Sequence, residues 1–221
     1  VNELLEKKIG DLTIELNNEI FKCVDFVKIR NKWKEIDGIW TKCCSNNCIN
    51  TNKPIGYNKI VHVYAKNSFK KPQNCLNYSL YYFEIKYKFE VELDEKWMSI
   101  GLKNCSTNER IQFSANYATI YNEKDEEFKL SSFTWNNNDV FGCGLVYPPT
   151  NKLNEGEFPY VFFTQNGKQI GKDILLKENT DSYKPYVALT CCTIEANFGN
   201  DLKTKPFNYD ISKHLILKEF Y

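Results

Sequence analysis

From Phe83 to Leu93 the chain reads FEIKYKFEVEL, with Phe83, Ile85, Tyr87, Phe89, Val91 and Leu93 alternating with Glu84, Lys86, Lys88, Glu90 and Glu92. Successive side chains of a β-strand point to opposite faces, so the segment is constrained to a strand with one dry and one wet face, as antiparallel sheets have. WMSIGL, from Trp97 to Leu102, continues the alternation with Met98, Ile100 and Leu102 facing alike. The charged connection Asp94–Lys96 between the two suits a hairpin.

Further short strands are predicted at Val61–Tyr64, Ile111–Phe113, Val140–Tyr147, Tyr160–Gln165, Tyr186–Thr190 and Ile194–Phe198. The segments between them are rich in Asn, Pro, Gly and Lys, as turns require. Asn166-Gly167 predicts a two-residue type I′ turn, because that turn needs positive φ at both central residues. Gly142, Gly144 and Gly199 lie within or beside strands, where a missing side chain marks a bulge or a close backbone approach. Leu5, Ile9, Leu12 and Leu16 follow steps of four and three, the stripe of an amphipathic helix. Many short strands with one terminal helix indicate an all-β sandwich closed by hairpins. The expected organisation is an N-terminal helix over 1–22, an extension over 23–60 packing on the domain, a core over 61–200, and a tail over 201–221 packed on the sandwich.

With 42% hydrophobic and 15% aromatic residues in 221, the chain can bury a sizeable core. Twenty-nine Lys and Arg against 28 Asp and Glu, well interspersed, give a net charge of +1. That balance argues against nucleic acid and anionic membrane as partners. No run approaches the roughly 18 apolar residues that cross a bilayer, and Val1–Gly10 is too charged for a signal peptide, although a start at Val1 leaves secretion open. Nine cysteines, Cys23, Cys43, Cys44, Cys48, Cys75, Cys105, Cys143, Cys191 and Cys192, are odd in number and irregularly spaced, which favours a reducing compartment over a disulfide framework. Cys43, Cys44 and Cys48 could join Cys75 or Cys191-Cys192 around zinc, but they lack paired C-x-x-C spacing, so buried free thiols are the favoured reading. His62 and His214 are read as packed rather than catalytic, and no nucleophile motif accompanies them. Trp97 and Trp135 are expected in the core, and Trp33 and Trp40 at either core or surface. Asn77-Tyr78-Ser79 and Asn104-Cys105-Ser106 match the glycosylation acceptor pattern.

Taken in order, YYFEI at Tyr81–Ile85, SIGL at Ser99–Leu102, WNNNDVFGCGL at Trp135–Leu145, VFFTQNGKQIG at Val161–Gly171 and PYVALTCCTIEANFG at Pro185–Gly199 resemble the SPRY domain. The resemblance implies a bent sandwich of two antiparallel sheets whose loops at one end form a shallow protein-binding surface; the residues themselves offer no catalytic constellation and no cofactor loop, so neither an enzyme nor a cofactor is expected. NKWKEIDGIWTKCCSNNCINTNKPIGYN, ahead of the domain, resembles the SPRY proteins expanded in plant-parasitic nematodes. Some of those act as effectors in host cells and are similar to Ran-binding-protein-like scaffolds. By position in the motif order, the resemblance assigns Lys71, Pro72 and Asn74 to one binding rim. Tyr117, Thr119, Ile120 and Tyr121 fall in a second, and Thr190 and Cys191 in a third. Tyr117 matches a tyrosine that grips peptides in some SPRY relatives. Thr190-Cys191 stands where those relatives carry Trp-Gly, so their Asn-rich ligand is not carried over. The implied partner is a protein or peptide, a host protein among the candidates, and the chain is a monomer or a helix-mediated dimer. Its location is either intracellular or, after secretion, the host cytoplasm. The alternative is a substrate-recognition adaptor of a ubiquitin ligase or an intracellular scaffold.

Overall fold

The computed structural model describes residues 24–37, 42–43, 48–50, 60–89, 97–150, 157–176, 182–216 and 219–221. The helix expected over 1–22, Trp40 and the Asp94–Lys96 connection lie outside them. Two sheets stack face to face. The first runs, edge to edge, through β14 (Lys168–Leu175), β13 (Tyr160–Gln165), β12 (Val140–Tyr147), β7 (Tyr78–Lys88), β16 (Thr193–Asn197), β4 (Cys48–Asn50) and β3 (Lys42–Cys43). The second runs through β11 (Glu127–Lys129), β10 (Thr119–Tyr121), β9 (Arg110–Ser114), β8 (Trp97–Asn104), β15 (Ser182–Thr190), β5 (Val61–Ala65) and β2 (Trp33–Asp37). β6 (Phe69–Lys70) joins the start of β15. β1 (Val24–Phe26) pairs in parallel with the start of β7. The other ladders between these strands are antiparallel, and the all-β sandwich expected from the sequence is present.

Between the sheets, Phe83, Ile85, Phe141, Leu145 and Phe163 from the first meet Ile100, Leu102, Phe113, Val187 and Leu189 from the second, all sealed from solvent. Each such side chain contributes roughly 1.5–3 kcal/mol by leaving water. Met98, Ile100 and Leu102 face this core together, as their alternation required.

The predicted wet face of the Phe83–Leu93 segment needs correcting. β7 begins at Tyr78 and ends at Lys88, and both of its faces are buried from Tyr78 to Ile85. Leu80, Tyr82, Val146, Tyr160 and Phe162 form a second apolar cluster on the outer face of the first sheet. Phe26, Phe207, Tyr209, Ile211, Ile216 and Phe220 cover it from the two ends of the described chain. Glu84, expected among solvated carboxylates, is buried there. Its carboxylate accepts the Asn208 and Tyr209 N–H groups at 2.9 Å each and the Tyr82 hydroxyl at 3.0 Å. Lys86 and Lys88 keep the alternation and face water.

Asn166 and Gly167 have φ of 49° and 78°, the two positive values a type I′ turn needs, between β13 and β14. Gly144 serves close approach: a Cβ there would lie 2.1 Å from Cε1 of Phe162, whose ring rests on the β12 backbone. β12 is held by ladders on both sides, so its backbone has little room to yield. Gly144→Ala is expected to lower stability by about 2 kcal/mol through overpacking. Chemical denaturation checks this, and an unchanged midpoint would show that the Phe162 ring can step aside.

Trp33 is fully packed, whereas Trp97 and Trp135, expected in the core, are half-buried. Trp97 opens β8, and Trp135, in the segment between β11 and β12, packs against the edge of the core.

Candidate functional site

β15 gives the molecule its two ends. Its nine residues, Ser182–Thr190, span about 26 Å at a rise of roughly 3.3 Å per residue. Lys70 and Phe69 pair with Ser182 and Tyr183, so the loop after β6 lies at the Ser182 end. Lys71, Pro72 and Asn74 are in that loop, which continues into Cys75, itself bonded to Thr150 beyond β12. Trp97 pairs with Thr190, and Met98 bonds the turn that carries Tyr117. Tyr117, Thr190 and Cys191 therefore share the other end.

The three rims expected to form one surface are thus divided. Lys71, Pro72 and Asn74 sit roughly a sandwich length from Tyr117, because β6 pairs with the beginning of β15 and not its end. Within the second rim, Thr119 and Ile120 are fully buried as part of β10. Tyr121, opposite Gln112 and Glu127, points the chain back toward the Ser182 end. Thr190 is itself buried, and Cys191 is half-exposed in the turn to β16 with φ of 54°.

What remains at the Thr190 end is ordered by the second sheet. Successive strands present Tyr117 after β9, Trp97 at the start of β8, Cys191 after β15 and Ile60 before β5. At about 4.8 Å per strand the row extends roughly 15 Å. Tyr117 is 63% exposed and Ile60 47%. The Tyr117 turn is braced on every side. Ala115 N–H donates to the Met98 carbonyl at 3.1 Å, and Asn116 Oδ1 accepts the Met98 N–H at 3.0 Å. Thr119 Oγ1 donates to the Tyr117 carbonyl at 2.7 Å, and Leu130 N–H to the Ala118 carbonyl at 2.8 Å. Ala118 completes the turn in the left-handed region, φ 49°. A rigid backbone thus holds out a large, mostly exposed aromatic side chain.

The first sheet adds a second aromatic group at the same end. Asn137 bridges the Phe89 backbone through Oδ1 and Nδ2, both at 3.1 Å, and Trp135 packs on Tyr87 at 4.8 Å between ring centroids. Burial pushes the Tyr87 hydroxyl well above its ordinary range, with neighbouring Cys192 adding to the effect. Ile60, Phe89 and Trp97 were missed by reasoning on loops, since each belongs to a strand end. The signal was present in Trp97, an aromatic directly after a charged connection.

The residues weighed for chemistry are placed elsewhere. His214 is buried between Tyr160 and Tyr209, its Nε2 2.9 Å from one hydroxyl and its Nδ1 2.8 Å from the other. Burial lowers it to about 4, so it is neutral at pH 7. Burial also raises the Cys143 thiol well above its usual value, leaving it inert as a nucleophile. Cys75 and the Cys191-Cys192 pair lie at opposite ends of the sandwich, so they cannot both join one metal site. The side chains of Cys43, Cys44 and Cys48 fall outside the described residues. Among the described residues no three His, Cys, Asp or Glu side chains gather as a metal site would need. Asn104, in the second glycosylation triplet, is fully buried.

No protein-family model matches the sequence, and no curated protein matches it. Solved structures do match. A human SPRY domain aligns with a TM-score of 0.55 and 16% identity, covering 76% of this chain and 100% of that one. The metal-free carbohydrate recognition domain of Emp46p aligns at a TM-score of 0.45 and 8% identity, covering 77% of this chain and 89% of its own. Lectin II from Ulex europaeus aligns at 0.40 and 8%, covering 76% and 92%. With the strand order described above, the first of these likenesses establishes that the chain has the fold of the SPRY domain.

Proposed function

We propose that this chain is a non-enzymatic binding module that holds a partner polypeptide against the Thr190 end of the sandwich, with Tyr117 as anchor and Ile60, Trp97 and Cys191 beside it. The observation that carries the reading is the Tyr117 turn, whose backbone is fixed by hydrogen bonds on both flanks while its side chain stands 63% exposed. A large exposed aromatic on a preorganised turn loses little entropy on binding, and tyrosine is enriched among interface hot spots. The departure from Trp-Gly at Thr190-Cys191 gives this end its own specificity. The resemblance to nematode SPRY proteins makes a host-cell protein the first class of partner to screen.

Tyr117→Ala is expected to leave the melting temperature unchanged and to weaken partner binding by about 2 kcal/mol, some thirtyfold. Affinity capture from host lysate, with the variant as control, supplies the partner, and calorimetry on the purified pair supplies the dissociation constants. Equal constants would remove Tyr117 from the site. A drop in melting temperature would make it a packing residue instead.

A further inference from the structure

At the Ser182 end, a cleft of about 260 Å³ opens between β11, the turn after β10 and the end of β14. Its floor is apolar: Phe128, Ile174, Leu176 and Tyr221, with the Phe128 and Tyr221 rings stacked at 4.4 Å and 18°. Its rim carries Glu109, Glu123 and Glu126 against one cation, Lys124. Three carboxylates less one ammonium leave the rim at −2.

Each rim carboxylate is held by neutral donors. Glu123 Oε1 accepts Asn104 Nδ2 at 3.1 Å and the Tyr183 hydroxyl at 2.9 Å, both donors coming from fully buried residues. Asn122 Nδ2 donates to Glu126 at 2.6 Å and Thr107 Oγ1 to Glu109 at 2.9 Å. Among the described residues, no cation pairs with any of the three. Negative charge is therefore in excess around an aromatic floor, and among the described residues Lys124 shares the rim without pairing to any of the three carboxylates.

We infer that this cleft is a second docking site, distinct from the Tyr117 end, which takes an arginine side chain from a partner polypeptide. Charge complementarity selects a cation, and the floor selects its kind. A guanidinium is planar and weakly hydrated, lies flat on aromatic rings, and presents several donors in one plane to separate carboxylates. An ammonium is compact and strongly hydrated and matches such a floor less well.

The test is fluorescence anisotropy of the full chain with three labelled hexapeptides, Gly-Arg repeated three times and its lysine and citrulline counterparts. The expected order is arginine over lysine by at least threefold and over citrulline by at least tenfold. Glu123→Gln, which keeps an acceptor for Asn104 and Tyr183, is expected to weaken the arginine peptide at least fivefold. The surface variant Glu126→Gln should weaken it at least twofold, and Tyr117→Ala should leave it unchanged. Equal binding of the arginine and citrulline peptides would overturn the inference. So would arginine binding that survives both glutamate substitutions, or that falls with Tyr117→Ala.

Discussion

Glu84→Ala is expected to lower stability by about 3 kcal/mol and to loosen the C-terminal tail ahead of the rest of the sandwich. The glutamate sits on β7 beneath residues 207–209 and receives two backbone N–H groups and one phenol. Truncation leaves two part-buried backbone N–H groups without their acceptor, at roughly 1–3 kcal/mol each before relaxation and water entry, while the Tyr82 hydroxyl keeps Thr164 Oγ1 at 2.6 Å. Burial raises the Glu84 carboxyl, opposed by the bonds from Asn208, Tyr209 and Tyr82. The bonds from the tail thus offset part of the cost of burying the carboxyl, and losing either side exposes the other. For a chain of this size the loss corresponds to about 6–12 °C in melting temperature. Glu84→Gln keeps the volume and one acceptor oxygen and should lose less than half as much. Hydrogen exchange provides the local readout: the Asn208 and Tyr209 amides should lose protection while those of β8 and β15 keep it. An unchanged melting temperature with both amides still protected would show that the apolar contacts of Phe207, Tyr209 and Ile216 hold the tail unaided.

Glu84 also marks where the sequence stopped being readable. Period-two alternation located β7 and β8, because sheet geometry forces it and each strand has a core face, while β12, β13 and β15 were legible as short runs set off by turn-rich segments. The Asn-Gly turn was legible for a local reason: few other pairs accept two positive φ values. The second apolar cluster was not read, since it depends on a tail some 120 residues away in sequence from β7. Its trace was there in YSLYYF, from Tyr78 to Phe83, a run apolar but for Ser79 ahead of the alternating stretch, which is what a strand covered on both faces shows. The candidate site was legible residue by residue but not as a surface. Tyr117 could be singled out, whereas the end at which each loop emerges depends on strand pairing. β6 pairs with Ser182 and Tyr183, which carries Lys71–Asn74 away from Tyr117. Motif order along a chain does not encode that choice. Likewise, Thr119 and Ile120 lie two and three residues from an exposed tyrosine, yet both are buried because β10 begins at Thr119.

Under the tail, two buried ionisable residues are expected to hide each other's pH dependence. His214 lies against Phe162 with its ring nitrogens bonded to Tyr160 and Tyr209, and desolvation lowers it from 6.5 to about 4. Asp173, also fully sealed, takes a hydrogen bond from Gln169 at 2.6 Å, and desolvation raises it from 3.8 to about 7. The ion pairs on these elements among the described residues, Lys172–Glu219 and Lys213–Asp210, are exposed and weak. Between pH 6.5 and 4 the unfolded chain protonates its histidine while the folded chain does not, so acidification through this window removes about 3 kcal/mol through His214. Between pH 7 and 4 the folded chain holds a proton on Asp173 that the unfolded chain has released, so the same acidification adds about 4 kcal/mol through Asp173. The two slopes, each about 1.4 kcal/mol per pH unit, oppose one another. Relative to the parent chain, Asp173→Asn should therefore lose about 1.4 kcal/mol for every unit of acidification below pH 6.5. His214→Gln should gain as much over the same range, on top of whatever constant offset each substitution brings. Urea unfolding of the three proteins at pH 4.5, 5.5 and 6.5 isolates the slopes, because all other titrating groups are common to them. Parallel stability curves would mean that water reaches both side chains beneath the tail, and that the second apolar cluster is far less dry than its packing indicates.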